Sequence, residues 1–168
     1  MYRIIMAVIW IISCCKWGNW KNWKLYYPSI QFLIIGDLTC NFLLYNKPLW
    51  AYGGGIWNHT FADLFEAVVI YPCLVILFLT HYPQLIKKQI IYILLCTAIF
   101  TLYEGVAVLL GEFFYYDGWN IVWSALFNCG LFSILRLHYK RPLLVWPISM
   151  VLAFIILYIF KIPFSIMR

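Results

Sequence analysis

Three side chains that could do acid–base or metal chemistry fall close together in the stretch NHTFADLFEAVVIYP, residues 58–72. If residues 59–66 are helical, His59, Asp63 and Glu66 are spaced i, i+4 and i+7, which places them on one face. Nitrogen and oxygen ligands of this kind suit zinc, iron or manganese, and paired carboxylates suit acid–base work or cation binding. Because ionisable groups beside such an apolar run are costly, they require a functional or structural explanation.

Polar side chains also repeat at helical spacing in the neighbouring apolar segments. They form stripes in residues 37–41, 97–104 and 120–128. Polar groups avoid lipid, so these stripes should converge on the interior of a helix bundle or on a wet cavity. The predicted binding residues are Asp37, Asn41, Asp63, Glu66, Thr101, Glu104, Asn120, Ser124 and Asn128, and His59 is the predicted metal ligand if the acidic cluster holds a metal ion.

A structural explanation competes for part of this pattern. Thr60 could cap the helix with Asp63 as its partner three residues later, a variant of the capping box. The amide and hydroxyl stripes could equally join helices to one another. Neither explanation accounts for Asp37, Glu66 or Glu104, so these three carboxyls are the leading candidates for a site.

The composition places the chain among membrane proteins. Its 168 residues are 65% hydrophobic and 11% charged, and the mean hydropathy is +0.88. A soluble domain of this length needs far more charge to cover its surface. The sequence has neither a C-x-x-C pair nor a phosphate-binding loop. Its net charge of +6 is scattered over several loops, which argues against nucleic-acid binding.

Six apolar segments predict an all-α, polytopic membrane helix bundle that forms a single domain over residues 1–168. The predicted spans are 2–15, 26–45, 61–81, 89–111, 119–138 and 143–162. Long apolar runs without strand alternation indicate helices, because backbone polar groups in lipid must be satisfied within the segment. The first segment is short, and five spans remain if it does not cross. The sixth has almost no polar stripe, which leaves helices two to five around a polar pocket.

The positions of Lys and Arg predict the orientation. Eight of the twelve basic residues lie in or beside the loops 16–25, 82–88 and 139–142. The richer side of a membrane protein is cytoplasmic, so these loops are predicted to be cytoplasmic. The loops 46–60 and 112–118 and the C-terminus are then outside. All six acids fall in the middle or the outer half, so the pocket should open outward.

Short aromatic motifs occur along residues 60–140, namely Tyr71-Pro72, Tyr82-Pro83, Tyr103-Glu104, Trp119 and the SILRLHY end of the fifth span. This set resembles an uncharacterised family of small multi-spanning membrane proteins of spore-forming bacilli and clostridia. The resemblance implies a bacterial plasma-membrane protein and directs attention to Glu104. It implies no mechanism, because the family has no established activity.

Three functions are compatible with these observations. The leading one is binding or translocation of a cation or cationic small molecule in an outward-facing acidic pocket, with cation–π contacts from Tyr and Trp. The second is an intramembrane enzyme that uses carboxylates as acid and base or as metal ligands. The third is a non-catalytic accessory or immunity-type membrane subunit. The expected partners are the lipid bilayer and a cationic ligand, with a homo-oligomer or a membrane partner left open, and no nucleic acid or organic cofactor.

Overall fold

The computed structural model describes residues 2–53, 58–163 and 165. With 79% of the protein helical, the predicted all-α class is confirmed. The described residues form six helices, one short 3-10 turn and two strands, which are α1 (Tyr2–Trp17), the turn Trp20–Asn22, α2 (Trp23–Leu43), β1 (Trp50–Tyr52), α3 (His59–Thr80), α4 (Ile86–Leu109), β2 (Phe113–Tyr115), α5 (Ile121–Lys140) and α6 (Pro142–Ile159). Residues 54–57 of the predicted outer loop, and 166–168 at the C-terminus, lie outside the described residues.

The helices match the predicted spans to within three residues at every boundary. Within the described ranges, α3, α4, α5 and α6 are long and apolar enough to cross a membrane, so the protein is membrane-embedded. Helix α1 has 16 residues. At about 1.5 Å per residue it spans roughly 24 Å, less than a typical hydrocarbon core of about 30 Å.

Helix α3 is the centre of the bundle. Its most apolar stretch is 67% buried inside the protein, against 11% for each of α4 and α6. Its residues Ile70, Leu74 and Phe78 belong to the main apolar core, where the Phe78 ring lies 5.0 Å from that of Phe132 on α5. The two acids in the first turns of α3 are therefore carried into the interior, whereas α4 and α6 present most of their surface to lipid.

A π-helical turn, Glu66–Ile70, interrupts α3 directly before Tyr71 and Pro72. Pro72 has no backbone N–H to donate to the preceding turn, and the wider turn accommodates this missing bond. In the structure this π turn begins at Glu66 itself. Such turns occur frequently at functional sites.

The cap of α3 differs from the predicted one. Asn58 has extended backbone angles, and its Oδ1 accepts a hydrogen bond from the backbone N–H of Phe61 at 2.8 Å. Thr60 lies inside the first turn, and Asp63 is only 3% exposed. The predicted capping box of Thr60 and Asp63 is wrong, because Asn58 already satisfies the orphan donor. Capping therefore does not explain why Asp63 is an acid.

The loops lie at two ends of the bundle, in the two sets that the sequence predicts. At one end β1 and β2 pair as an antiparallel ribbon, with Trp50 opposite Tyr115, and we name this the ribbon end. At the other, the basic end, the Arg136 guanidinium lies 4.2 Å from the ring centre of Tyr82, and Tyr26 stacks on Tyr139. The acidic residues lie in the half of the bundle nearer the ribbon end, so charge is distributed asymmetrically along the bundle axis.

Candidate functional site

A cavity of about 390 Å³ begins under the ribbon and is lined by side chains from all six helices. Asp37, Glu66 and Glu104 line it together, although they come from α2, α3 and α4. Its volume lies in the range of small-molecule sites, about 300–1,000 Å³. The structure therefore brings the three leading sequence candidates into contact with one space.

An acidic cluster forms where α2 meets α3. Tyr71 donates its hydroxyl proton to Asp37 Oδ1 at 3.0 Å, and Asn41 Nδ2 donates to the backbone oxygen of Asp37 at 3.1 Å. Asp63 lies beside Asp37 and Asn41. Among the described residues, Asp63 Oδ1 is buried with no hydrogen-bond partner. A buried acceptor without a donor costs about 1–3 kcal/mol, so this oxygen is a favourable position for a ligand that donates.

Glu66 joins this cluster from the first residue of the π turn. It is 2% exposed, and its Oε1 accepts a hydrogen bond from the Tyr103 hydroxyl at 2.8 Å. Tyr103 is held in turn by Tyr2, whose ring stacks on it at 5.9 Å and whose hydroxyl donates to its backbone oxygen at 2.9 Å. These contacts fix the carboxyl of Glu66 in the cavity wall between α1, α3 and α4.

Arg3 is the member of the site that sequence reasoning misses. It is 4% exposed, and its Nε lies 3.1 Å from Glu112 Oε2. Its Nη2 donates to the backbone oxygens of Gly53 and Glu112 at 2.7 Å each. Its Nη1 is buried and has no hydrogen-bond partner in the described part of the chain. The only signal in the sequence is an Arg that stands within the first turn of an apolar segment.

Tyr52 lies against Arg3 and close to the acids. The Arg3 guanidinium carbon is 4.9 Å from the centre of its ring. Burial, and then the charges of Glu66 and Asp37, raise the pKa of Tyr52 well above its ordinary value. The phenol is therefore neutral at physiological pH and offers the cavity a hydrogen-bond donor and an aromatic face.

His59 is not directed at the acids. Its Nδ1 accepts the backbone N–H of Tyr52 at 3.2 Å, which ties the start of α3 to the ribbon. Within the described residues, no group of three or more His, Cys, Asp and Glu side chains could hold a metal ion. The geometry gives no support to His59 as a metal ligand.

Glu104 belongs to a second polar cluster, where α4 meets β2 and α5. Tyr115 donates its hydroxyl proton to Glu104 Oε1 at 2.6 Å. Burial, followed by this hydrogen bond, raises the pKa of Tyr115. Trp119 Nε1 donates to the buried Ser124 Oγ at 2.8 Å. Both Glu104 and Ser124 line the cavity, but Glu104 Oε1 and Ser124 Oγ are used in these contacts, the first of which holds β2 against α4.

Other predicted binding residues have structural roles. Asn120 caps α5, where its Oδ1 accepts the backbone N–H groups of Val122 and Trp123 at 3.0 and 3.3 Å, and it is exposed. It does not line the cavity as predicted. Thr101 accepts a hydrogen bond from Asn128 Nδ2 at 3.2 Å, which joins α4 to α5. Asn128 itself still lines the cavity.

The cavity also has walls that the predicted arrangement of helices two to five leaves out. Helix α1 contributes Tyr2 and Arg3, and α6 contributes an apolar wall that includes Ala153 and Ile156. Helix α6 is largely exposed on the outside of the bundle, as predicted, but it also forms one wall of the cavity. Aromatic rings of Trp119, Trp123 and Phe127 complete the lining on α5 and just before it.

The site thus combines buried carboxyls, one guanidinium and many aromatic rings. Carboxylates attract cations, and the faces of Tyr and Trp rings hold cations through their quadrupoles. No family model, curated protein or solved structure matches this chain, so these contacts are the basis for assigning a function.

Proposed function

We propose that this membrane protein binds an organic cation, such as a protonated or quaternary amine, at Asp37, Asp63 and Glu66. The observation that carries the proposal is that Asp37 and Glu66 line one cavity together with tyrosine and tryptophan rings. Asp63 supports it, because its buried Oδ1 has no donor among the described residues. Each cation–π contact would add about 0.5–2 kcal/mol to the carboxylate attraction.

An organic cation suits the cavity better than a bare metal ion. A metal ion needs several ligands that converge on one point, and no such group exists among the described His, Cys, Asp and Glu residues. The lining is largely aromatic and aliphatic, which matches a ligand with a carbon skeleton. Binding is preferred over translocation, since Phe78 and Phe132 fill the core towards the basic end. The other two functions predicted from the sequence, an intramembrane enzyme and a non-catalytic subunit, stay predictions.

The proposal places this site at the outer face of a bacterial plasma membrane. Its support is the excess of Lys and Arg in the loops 16–25, 82–88 and 139–142, which favours a cytoplasmic basic end. Membership of the spore-former family is part of the same proposal and rests on the aromatic motifs given above.

Binding of ammonium probes to the purified protein tests the function. Isothermal titration in detergent would compare choline, benzyltrimethylammonium and phenethylammonium with 3,3-dimethyl-1-butanol, the neutral isostere of choline. We expect at least one ammonium probe to bind and the isostere not to bind. The proposal is overturned if no ammonium probe binds, or if choline and its isostere bind equally.

Neutral variants identify the carboxyls involved. Asp37→Asn and Glu66→Gln should each weaken ammonium binding about tenfold or more, which corresponds to about 1.4 kcal/mol. Asp117→Asn is the matched control, because Asp117 is an exposed loop acid whose φ of 51° Asn tolerates well. If both cavity variants fold and bind as the unsubstituted protein does, the cavity is not the site.

A further inference from the structure

The cavity extends from the acidic cluster to the lipid-facing side of the bundle. Leu126 on α5 and Leu152 and Ile155 on α6 line it, and these side chains are 60%, 39% and 47% exposed. In a membrane their exposed faces contact hydrocarbon. The polar site is therefore connected sideways, along α5 and α6, to the acyl chains of the bilayer.

Two glycines keep the apolar part of the cavity wide. Gly36 on α2 and Gly130 on α5 both line it. A Cβ built at either position meets no atom within 4 Å beyond its own helix backbone and chain neighbours. There is room beside both helices for an aliphatic chain, and a larger side chain at either glycine would occupy that room.

Two buried polar atoms of opposite character lack partners among the described residues, one on Arg3, which lines the cavity, and one on Asp63, which lies beside the lining residue Asp37. Asp63 Oδ1 is an acceptor, on a side chain only 3% exposed, and Arg3 Nη1 is a donor, on a side chain only 4% exposed. Tyr52 connects the two groups, since its ring lies against the guanidinium and the charges of Glu66 and Asp63 act on its hydroxyl. A ligand that satisfies both atoms must bring a donor and an anionic or carbonyl oxygen together.

We infer that the ligand is a zwitterionic membrane amphiphile, whose amine binds Asp63 and Asp37, whose anionic oxygen binds Arg3 Nη1, and whose hydrocarbon tail lies along α5 and α6. This inference rests on the proposed cation binding and names the class of ligand. The head would replace the missing partners of the buried polar atoms. The tail would bury apolar area worth about 25 cal/mol per Å². Neither an amine without a tail nor a tail without an amine uses the whole cavity.

Four probes separate the parts of the ligand in titrations of the purified protein in maltoside micelles. Lysophosphatidylethanolamine has an amine, a phosphate and a chain; lysophosphatidylglycerol lacks the amine, tetradecylamine lacks the anionic oxygen, and phosphoethanolamine lacks the chain. We expect lysophosphatidylethanolamine to bind at least tenfold tighter than the other three. 2-Aminotetradecanoic acid, which carries a carboxylate, tests whether the anionic oxygen must belong to a phosphate, and tighter binding of either zwitterion supports the inference.

The outcomes distinguish this inference from the function on which it rests. Equal binding of tetradecylamine and both zwitterions, or of phosphoethanolamine and lysophosphatidylethanolamine, overturns the zwitterionic amphiphile but leaves cation binding intact. Tighter binding of lysophosphatidylglycerol than of either zwitterion also overturns the inference. If no amine probe binds, including the tailless ammonium ions, both proposals fail.

Substitutions at the glycines test the path of the tail. Gly130→Leu and Gly36→Leu should each weaken binding of the tighter zwitterion about tenfold more than they weaken binding of benzyltrimethylammonium, which has no aliphatic chain. Ala98→Leu is the control, because Ala98 is exposed on α4 and does not line the cavity. Two glycine positions are tested because one of the variants could fail to fold, and a single folded variant is enough for the test. The thermal unfolding midpoint checks that each variant is folded. Unchanged zwitterion binding in a folded glycine variant places the tail elsewhere and overturns the inference.

Discussion

Arg3 and Glu112 are 109 positions apart in the chain, yet the guanidinium Nε lies 3.1 Å from the carboxylate Oε2. Two further hydrogen bonds, from Nη2 to the backbone oxygens of Gly53 and Glu112, complete the contact. The contact joins the first turn of α1 to both sides of the ribbon. The ribbon lies over the cavity, so the N-terminal helix determines how the site is closed at the ribbon end.

Arg3→Gln should destabilise the protein by about 2–4 kcal/mol, because it removes charge-assisted hydrogen bonds and leaves Glu112 without its cation. Thermal unfolding in detergent, followed by tryptophan fluorescence, measures the effect. The double variant with Glu112→Gln should lose less than the sum of the two single losses.

Lys47→Gln is the control for Arg3→Gln. Lys47 and Asp117 are 3.7 Å apart and both side chains are substantially exposed, so this variant should change stability by less than about 1 kcal/mol. Equal losses in the Arg3 and Lys47 variants would show that the buried contact contributes no more than a surface ion pair.

Asn58→Ala should cost about 1 kcal/mol, because the backbone N–H of Phe61 loses its side-chain acceptor. Thr60→Ala should cost much less, since Thr60 does not cap the helix. The midpoints of unfolding in SDS compare the two variants. A larger loss for Thr60→Ala would restore the capping arrangement predicted from the sequence.

The helices are predictable from the sequence because each depends on a local run of apolar residues. Hydropathy alone places both ends of all six helices to within three residues, since a bilayer requires continuous apolar segments with internally satisfied backbones. The convergence of Asp37, Glu66 and Glu104 was also predictable in outline, since acids avoid lipid and share one end of the bundle.

The parts that the sequence does not predict depend on contacts between distant residues. Trp50 and Tyr115 pair across the ribbon, and each strand has only three residues, too few for an alternating pattern. From the sequence, Arg3 is interpreted as a charge that flanks an apolar segment, because no residue near it in the chain indicates that it will contact Glu112. Asn58 and Thr60 are both residue types that cap helices, Asn somewhat better than Thr, and the backbone angles show that Asn58 is the cap.

Alkaline pH should destabilise the protein through Tyr52 and Tyr115. Burial raises the pKa of both phenols above 10.0 in the folded state. The unfolded chain loses these protons first, so their contribution to the free energy of unfolding is complete below about pH 10 and decreases above it. Between about pH 8 and 11, the unfolding midpoint of the double variant Tyr52→Phe, Tyr115→Phe should fall less steeply with pH than that of the unsubstituted protein. Tyr116→Phe is the control, because Tyr116 is 45% exposed, and an equal change in slope would contradict the assignment.

The proposed orientation predicts which engineered cysteines react in intact cells. A membrane-impermeant maleimide should label Tyr116→Cys at the ribbon end and leave Lys88→Cys at the basic end unlabelled, if the basic end is cytoplasmic as the positive-inside rule predicts. Both positions are exposed, so the difference reflects the side of the membrane. Labelling is measured above the signal of the unsubstituted protein, which has six free cysteines. Permeabilised cells should show both variants labelled, and the reverse pattern in intact cells would invert the topology.

Glu66 and Glu104 line the same cavity but should differ in their contribution to ligand binding. Glu66 is buried close to Arg3 and Asp63, and its carboxylate acts within the acidic cluster. At an effective dielectric of about 20, a carboxylate roughly 5 Å from a cation contributes on the order of 3 kcal/mol. Glu104 is only half-buried, and Tyr115 uses its Oε1 to hold the ribbon.

Glu66→Gln should therefore weaken benzyltrimethylammonium binding about tenfold or more, and Glu104→Gln about threefold or less. Tyr115→Phe, which removes the hydrogen bond to Glu104, should lower stability by about 1 kcal/mol and leave binding nearly unchanged. Titration calorimetry gives the affinities, and thermal unfolding gives the stabilities of the same samples. Equal losses of affinity for the two Gln variants would show that the ligand lies between the clusters, and a larger loss for Glu104→Gln would move the cation site from α2 and α3 to α4 and α5.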